Sequence, residues 1–289
     1  MDRSQLCQLT PNPGDPESGA SIGKQLLLRL TPLLLAALVA CAPQPSETAV
    51  ETAPEAPTTG ETEVAASTAP WPRLPAPPIP QDRPLRAGLV VVDGVYNTEL
   101  VAPWDIFDHA AEPGIEVVAI SPDGGPVTSY EGMVIQPHFG FDDAPELDVL
   151  VVPSAENSRG SDLEDRALID FVRDRGQRAQ FVMSLCWGAF VLAEAGLLDG
   201  HAATTFPPDV AALGERFPAL DAREGYSFVH DRNAVTSHGG VKSFEAAMYL
   251  VDHLLGEEVA TRIGGGLLIP WPPTADAVPA LVVEPPSTD

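Results

Sequence analysis

The sequence predicts an α/β protein in which a doubly wound, mostly parallel sheet carries helices on both faces, a three-layer sandwich built as a single domain. Three observations predict it. From Leu85 onward, short β-branched runs alternate with helix-length segments, the order of strand, crossover helix and next strand. The runs at 85–93 and 148–153 are apolar without the alternation of a half-buried strand, as expected where both faces are covered. The run at 180–185 passes directly through Cys186 into a helical segment, and in such sheets ligands sit at the carboxyl ends of strands.

The elements follow in order. A first strand over 85–93 precedes a helix over about 99–111, a strand over 116–121, a hairpin over 127–137 and a buried strand over 148–153. A helix over 162–175 leads to the strand at 180–185. A helix over 187–195 follows, ended by Gly196, where a left-handed residue stops a helix readily. A short strand at 202–205, a helix over 209–217 and a hairpin over 225–237 come next. The helix over 243–255 sets Phe244, Ala247, Met248, Val251 and Leu255 on one face. Gly264, Gly265 and Gly266 read as a flexible turn, with no helix after them to cradle phosphate.

The first 84 residues read differently. Lys24 and Arg29 precede an apolar run, 30–40, that is too short to span a bilayer and ends in Leu38-Val39-Ala40-Cys41, the shape of a secretory signal. A cysteine directly after Leu-Val-Ala resembles a bacterial lipoprotein signal, which makes Cys41 the lipidation site. A plain secretory signal is the alternative. Residues 42–84 are rich in Pro, Thr, Ala and Glu and bury too little to order themselves, so they read as a disordered tether. The expected organisation is a signal over 1–40, a tether over 41–84, the α/β domain over 85–270 and a disordered tail over 271–289. The expected location is outside the cytoplasm, anchored to a membrane by lipid. The formal net charge is −25, which repels nucleic acid and anionic lipid. Without the signal, and with Cys41 acylated, Cys186 is the remaining free thiol.

Ser184-Leu185-Cys186-Trp187-Gly188-Ala189 puts that thiol where a buried strand becomes a helix, with Gly188 leaving room for a sharp turn. This is the pattern of a nucleophile elbow. Unpaired N–H groups at the helix start favour thiolate. A buried, inert cysteine is the other reading the local sequence allows. No His-Glu-x-x-His or similar ligand spacing is present, so neither a metal nor a cofactor is expected.

The motif continues as Phe190-Val191-Leu192-Ala193, with Ala195-Gly196-Leu197-Leu198-Asp199-Gly200 and Ala203-Thr204-Thr205 after it; Asn233 to Gly240 and Ser243-Phe244-Glu245 lie further on. Over nearly its whole length the domain resembles the PfpI/DJ-1 superfamily of class I glutamine-amidotransferase-like proteins, nearest the branch of isonitrile hydratases and AraC-type regulator sensor domains. The resemblance implies a flavodoxin-like sandwich, a homodimer and a small-molecule substrate or ligand. It also implies that Glu99, in Glu99-Leu100-Val101-Ala102-Pro103-Trp104, is the acidic side chain sent to the cysteine, where a shared proton couples the two titrations. A helix N-terminal carboxylate is the plainer reading of Glu99.

The sequence also departs from that family. Thr204-Thr205-Phe206 has a phenylalanine where many relatives have histidine, and Trp187 stands where the protease-like members have another. Neither position supplies a general base. His238, in a late loop, is the one histidine placed to compensate; a solvent-exposed loop residue is its other reading. Pro153-Ser154-Ala155 replaces Pro-Gly-Gly, and the oxyanion donors expected are the backbone N–H groups of Ser154 or Ala155 and Trp187. Three functions follow as expectations: a cysteine-dependent hydratase, hydrolase or lyase acting on a small electrophilic metabolite; a ligand-binding or sensor domain; and a redox-responsive thiol.

Overall fold

The computed structural model describes residues 69–110, 114–274 and 276–285. The expected signal, Cys41 and most of the expected tether lie outside the described residues. Within them, eight strands form one sheet in the order β12-β10-β11-β7-β6-β1-β2-β5. The strands are β1 (Leu85–Val90), β2 (Ile115–Ser121), β5 (Phe139–Gly140), β6 (Val149–Val152), β7 (Phe181–Leu185), β10 (Phe228–Asp231), β11 (Ala234–Ser237) and β12 (Ala280–Val283). Every pairing is parallel except β10 with β11. A hairpin of β3 (Val127–Thr128) and β4 (Val134–Ile135) stands apart, as does a short pair of β8 (Ala202–Ala203) and β9 (Asp221–Ala222).

Successive strand residues point to opposite faces, and the sequence supplies apolar side chains to both. Leu89, Val151 and Met183 pack with Ile106 and Phe107 of α1 (Asn97–Asp108), Met248 and Val251 of α5 (Lys242–Leu255) and Ile263 of α6 (Glu257–Leu267). Val90, Leu150 and Val182 pack with Ile169 and Val172 of α2 (Arg166–Arg178), Phe190 and Leu192 of α3 (Gly188–Glu194) and Leu213 of α4 (Val210–Arg216). The result is the expected three-layer α/β sandwich. The chain runs outward from β1 to β2, then returns to β6 on the other side of β1. In open α/β sheets a reversal of this kind marks the carboxyl ends of the central strands as the ligand-binding edge.

Four expectations change. The second helix begins at Arg166 rather than 162, because the Asp165 side chain caps it by accepting from the N–H groups of Ala167 and Leu168 at 3.0 and 3.2 Å. Gly264, Gly265 and Gly266 lie inside α6, not in a turn; a Cβ on Gly264 would come within 2.4 Å of the Ile269 carbonyl oxygen and 3.2 Å of Trp271, so this glycine lets α6 pack closely. The expected tail contains β12, which pairs in parallel with β10. The end of the expected tether is also packed: Trp71 is buried against Phe228, Tyr249 and Trp271 at ring-centre distances of 5.5, 5.3 and 5.6 Å. Arg73 pairs with Asp252 and Glu257, and Asp252 also accepts from Trp271 Nε1 at 2.8 Å.

The packed domain therefore starts before residue 85. Trp71→Ala should cost about 3–5 kcal/mol of stability, the range for truncating a buried aromatic ring, measured by denaturant unfolding of the full chain. A loss below about 0.5 kcal/mol would return residues 69–84 to the tether.

Candidate active site

Cys186 directly follows β7 with φ at +53°, a left-handed conformation rare outside glycine and costly by roughly 1–3 kcal/mol. The surroundings hold it there. Its N–H donates to the Ser237 carbonyl at 3.0 Å, and its own carbonyl accepts from the Thr205 hydroxyl at 2.6 Å. Close approach is met by glycine: a Cβ on Gly188 would lie 2.0 Å from the Val152 carbonyl oxygen, and one on Gly239 would lie 2.3 Å from Cys186 Cβ. The turn is a nucleophile elbow in geometry as well as in pattern.

Glu99, in the first turn of α1, reaches this elbow and is only 5 % exposed. Its Oε2 accepts from the Ser154 N–H at 3.1 Å and the Ser154 hydroxyl at 2.5 Å, and its Oε1 accepts from the Gly240 N–H at 3.2 Å. The Cys186 thiol is a further hydrogen-bond partner. Three loops, after β1, β6 and β11, therefore converge on one carboxyl group.

The DJ-1/PfpI family model matches residues 85–253. The chain belongs to the DJ-1/PfpI family. An isonitrile hydratase of Pseudomonas putida is 32 % identical over 206 residues, covering 69 % of this chain and 87 % of its own length. The HTH-type transcriptional regulator GbdR of Pseudomonas aeruginosa is 31 % identical over 144 residues, covering 50 % of this chain and 38 % of its own. Among solved structures, Drosophila melanogaster DJ-1beta superposes with a TM-score of 0.58 at 23 % identity, covering 65 % of this chain and all of that one. A THiJ/PfpI family protein from Pseudomonas syringae gives 0.57 at 24 % identity over 80 % of this chain and 84 % of its own.

In this DJ-1/PfpI chain the electrostatics oppose an easily formed thiolate. Burial pushes the Cys186 thiol up and the adjacent Glu99 charge pushes it further, while the Ser154 hydroxyl and Trp187 N–H pull the other way. Burial likewise raises Glu99 above the usual carboxylate range, against the hydrogen bonds from Ser154, Gly240 and Cys186. The thiolate bias expected from a helix N-terminus is outweighed: α3 has only seven residues, and desolvation disfavours charge more strongly.

The expected oxyanion donors are spoken for. The Ser154 N–H is held by Glu99 and the Ala155 N–H by Ser158 Oγ at 2.8 Å, while the Trp187 N–H hydrogen-bonds to Cys186 itself. His238 is not hydrogen-bonded to the pair. Its backbone N–H donates to the Ser227 carbonyl at 2.9 Å, burial and Lys242 lower its imidazole pKa, and among the described residues no hydrogen bond joins its ring to Cys186 or Glu99. The neighbour that meets both is Gly239.

Trp187 turns its ring outward, with Nε1 donating to Asp209 Oδ2 at 2.7 Å and the Arg159 guanidinium 5.4 Å from the ring centre. Phe206, 41 % exposed, meets it edge-on at 6.5 Å, so the ring that replaces the family histidine packs as a wall. Tyr96, which the sequence reading passed over, meets Trp187 from the other side at 6.3 Å and Tyr130 at 4.7 Å. The only signal for it was its place one turn before Glu99. Among the described residues, no group of three or more His, Cys, Asp or Glu is placed to hold a metal ion.

Two predictions follow from these shifts. Glu99→Gln removes the negative charge that opposes thiolate, so the midpoint of Cys186 alkylation against pH, followed on the Cys186 peptide by mass spectrometry, should move down from its wild-type position; an unmoved midpoint would contradict the coupling. Because the folded-state pKa of Glu99 is raised, its contribution to stability is complete below the ordinary carboxylate value of about 4.3 and is lost as pH rises through the folded value. Stability measured across that range should fall in wild type and stay flatter in Glu99→Gln. Parallel curves would assign the burial cost elsewhere.

Proposed function

We propose that the protein is an exported, lipid-anchored hydratase or lyase that acts on a small electrophilic metabolite, an isonitrile foremost, through Cys186 and Glu99. The observation that carries this is the buried thiol–carboxyl pair at a strained elbow whose neighbouring backbone donors are already committed. Acyl-group hydrolysis needs free oxyanion donors and a base for the nucleophile, whereas the expected backbone donors are committed and no described histidine is hydrogen-bonded to the sulfur. Addition of water to a carbon that first accepts a proton needs no separate base to ionise the sulfur and no pair of backbone donors. The relative named isonitrile hydratase supports the same choice.

In an isonitrile the terminal carbon carries the lone pair. A thiol pushed up by burial, beside a carboxyl group raised above its usual range, is suited to begin by protonating that carbon. Sulfur then bonds to it, giving R–N=CH–S–Cys186, with the thiol proton now on carbon. Water adds to the same carbon, a proton reaches nitrogen, the C–S bond breaks and the thiol recovers its proton. The product is the formamide R–NH–CHO, the sum of isonitrile and water. Glu99 carries the proton between water, nitrogen and sulfur. Ser154 and Gly240 fix its carboxyl group.

The signal over 1–40 and acylation of Cys41 supply export and anchoring, and residues 42–68 supply the tether. Among the described residues no helix is long and apolar enough to cross a membrane. A homodimer belongs to the same proposal, supported by Val101 and Val241, which are 47 % and 73 % exposed beside the first turns of α1 and α5; a monomer mass by sedimentation would contradict it. Burial of the thiol tells against the redox-sensor reading, since oxidation follows thiolate character and exposure.

A binding domain without turnover is the second reading, favoured by Phe206 and Trp187 in place of histidines and by the regulator among the relatives. The full chain incubated with a small alkyl or aryl isonitrile should release the corresponding formamide, and Cys186→Ser should lower turnover by about a thousandfold or more. Saturable isonitrile binding with no product would favour the binding reading instead. Cys41→Ala should move the protein from the membrane fraction to the soluble exported fraction; membrane association unchanged by that substitution would refute the lipid anchor.

A further inference from the structure

The backbone donors that the loops after β6 and β11 bring to the thiol are committed, as is that of Trp187. The N–H groups of Ser154 and Gly240 go to Glu99, that of Ala155 to Ser158, that of Gly239 to Ser237 Oγ at 3.2 Å and that of Trp187 to Cys186. Yet addition of sulfur or water to an electrophilic carbon bonded to nitrogen or oxygen shifts charge onto that heteroatom, which needs a donor in a site with little water.

We propose that the Tyr96 hydroxyl is this donor, facing the substrate heteroatom bonded to the carbon that Cys186 attacks. The inference rests on the reading of Cys186 as nucleophile. Tyr96 immediately precedes α1, one turn before Glu99. Its N–H donates to the Ser154 carbonyl at 3.0 Å, and its carbonyl accepts from the Leu100 N–H at 3.1 Å. The ring is therefore tied by its backbone to the same loop that holds Glu99. On one side it meets Trp187, the residue after the nucleophile, at 6.3 Å and 79°; on the other it meets Tyr130 at 4.7 Å.

Two neighbours thus fix the direction of the ring, and its hydroxyl forms no hydrogen bond with another described residue. The phenol is pushed up to about 12, chiefly by burial, then by Tyr130, Cys186 and Glu99. It remains protonated, and hence a donor, throughout the range in which the enzyme would work. The substrate class this implies is an electrophilic carbon directly bonded to an accepting heteroatom, C–N or C–O, carrying a substituent that suits the wall of Trp187 and Phe206.

The test uses the full chain and two thiol reagents that need no knowledge of the substrate. With 2-cyanopyrimidine, sulfur bonds to the nitrile carbon, one C–N π bond opens and the thiol proton ends on nitrogen, giving a thioimidate. With methyl methanethiosulfonate, sulfur is exchanged at sulfur and no charge grows on nitrogen. Rates are read on the Cys186 peptide by mass spectrometry. Tyr96→Phe should slow thioimidate formation about tenfold or more and change methanethiosulfonate labelling less than about twofold, which also shows that the elbow is intact. Tyr130→Phe, the neighbouring phenol, should leave both rates within about twofold.

Equal changes in the two rates, a loss in Tyr130→Phe instead, or a wild-type protein labelled by methanethiosulfonate but not by the nitrile would each overturn the assignment. The two proposals fail separately. A Tyr96-dependent nitrile reaction without isonitrile hydration removes the hydratase and keeps the donor; isonitrile hydration indifferent to Tyr96→Phe does the reverse.

Discussion

The site depends on one constraint: a carboxyl group, Glu99, is taken out of water and set against a thiol. Burial alone would make this costly, since an isolated buried charge is among the least favourable things a fold can hold. Three donors from two other loops and the thiol itself offset it, two of them from Ser154 and one from Gly240. The same arrangement leaves neither Cys186 nor Glu99 inclined to give up its proton. That property separates this site from a Cys–His thiolate and inclines it toward chemistry that starts with proton donation.

The rest of the central fold serves that convergence. The order of β7, β6 and β1 in the sheet brings the loops after all three strands to one edge. β11 lies beside β7 and delivers Gly239 against Cys186 and the Gly240 N–H to Glu99. A Cβ at Gly239 would strike Cys186, and one at Gly188 would strike the end of β6. These two glycines are thus requirements of close approach. The positive φ of Cys186 turns the chain sharply after β7, where its thiol meets Glu99 and the Trp187 N–H.

Much of this was legible in the sequence. Uninterrupted apolar strands alternating with amphipathic helices carried the α/β architecture, and Cys186 stood out because a small residue, Gly188, follows it at a strand end. Glu99 was found through family resemblance rather than through any local pattern. Other features are tertiary in origin. Whether the amides of Ser154 and Ala155 face substrate or fold back on side chains depends on the placement of Glu99 and Ser158, which local sequence does not set. Tyr96 acquires meaning only when Trp187 and Tyr130 close on it. β12 is four residues long among prolines, too short for periodicity to show. Trp71 sits in a proline-rich run whose composition reads as tether, although its buried indole and the ion pairs of Arg73 with Asp252 and Glu257 dock it.

The central claim, that Glu99 and Cys186 hold protons as a coupled pair, is tested most directly by a carbon-13 NMR titration of the Glu99 side-chain carboxyl in wild type and Cys186→Ala. The account predicts a carboxyl that titrates above the usual range near 4.3, with a second inflection as the thiol ionises that disappears in Cys186→Ala. A Glu99 that titrates at the ordinary value, with the same curve in both proteins, would contradict it.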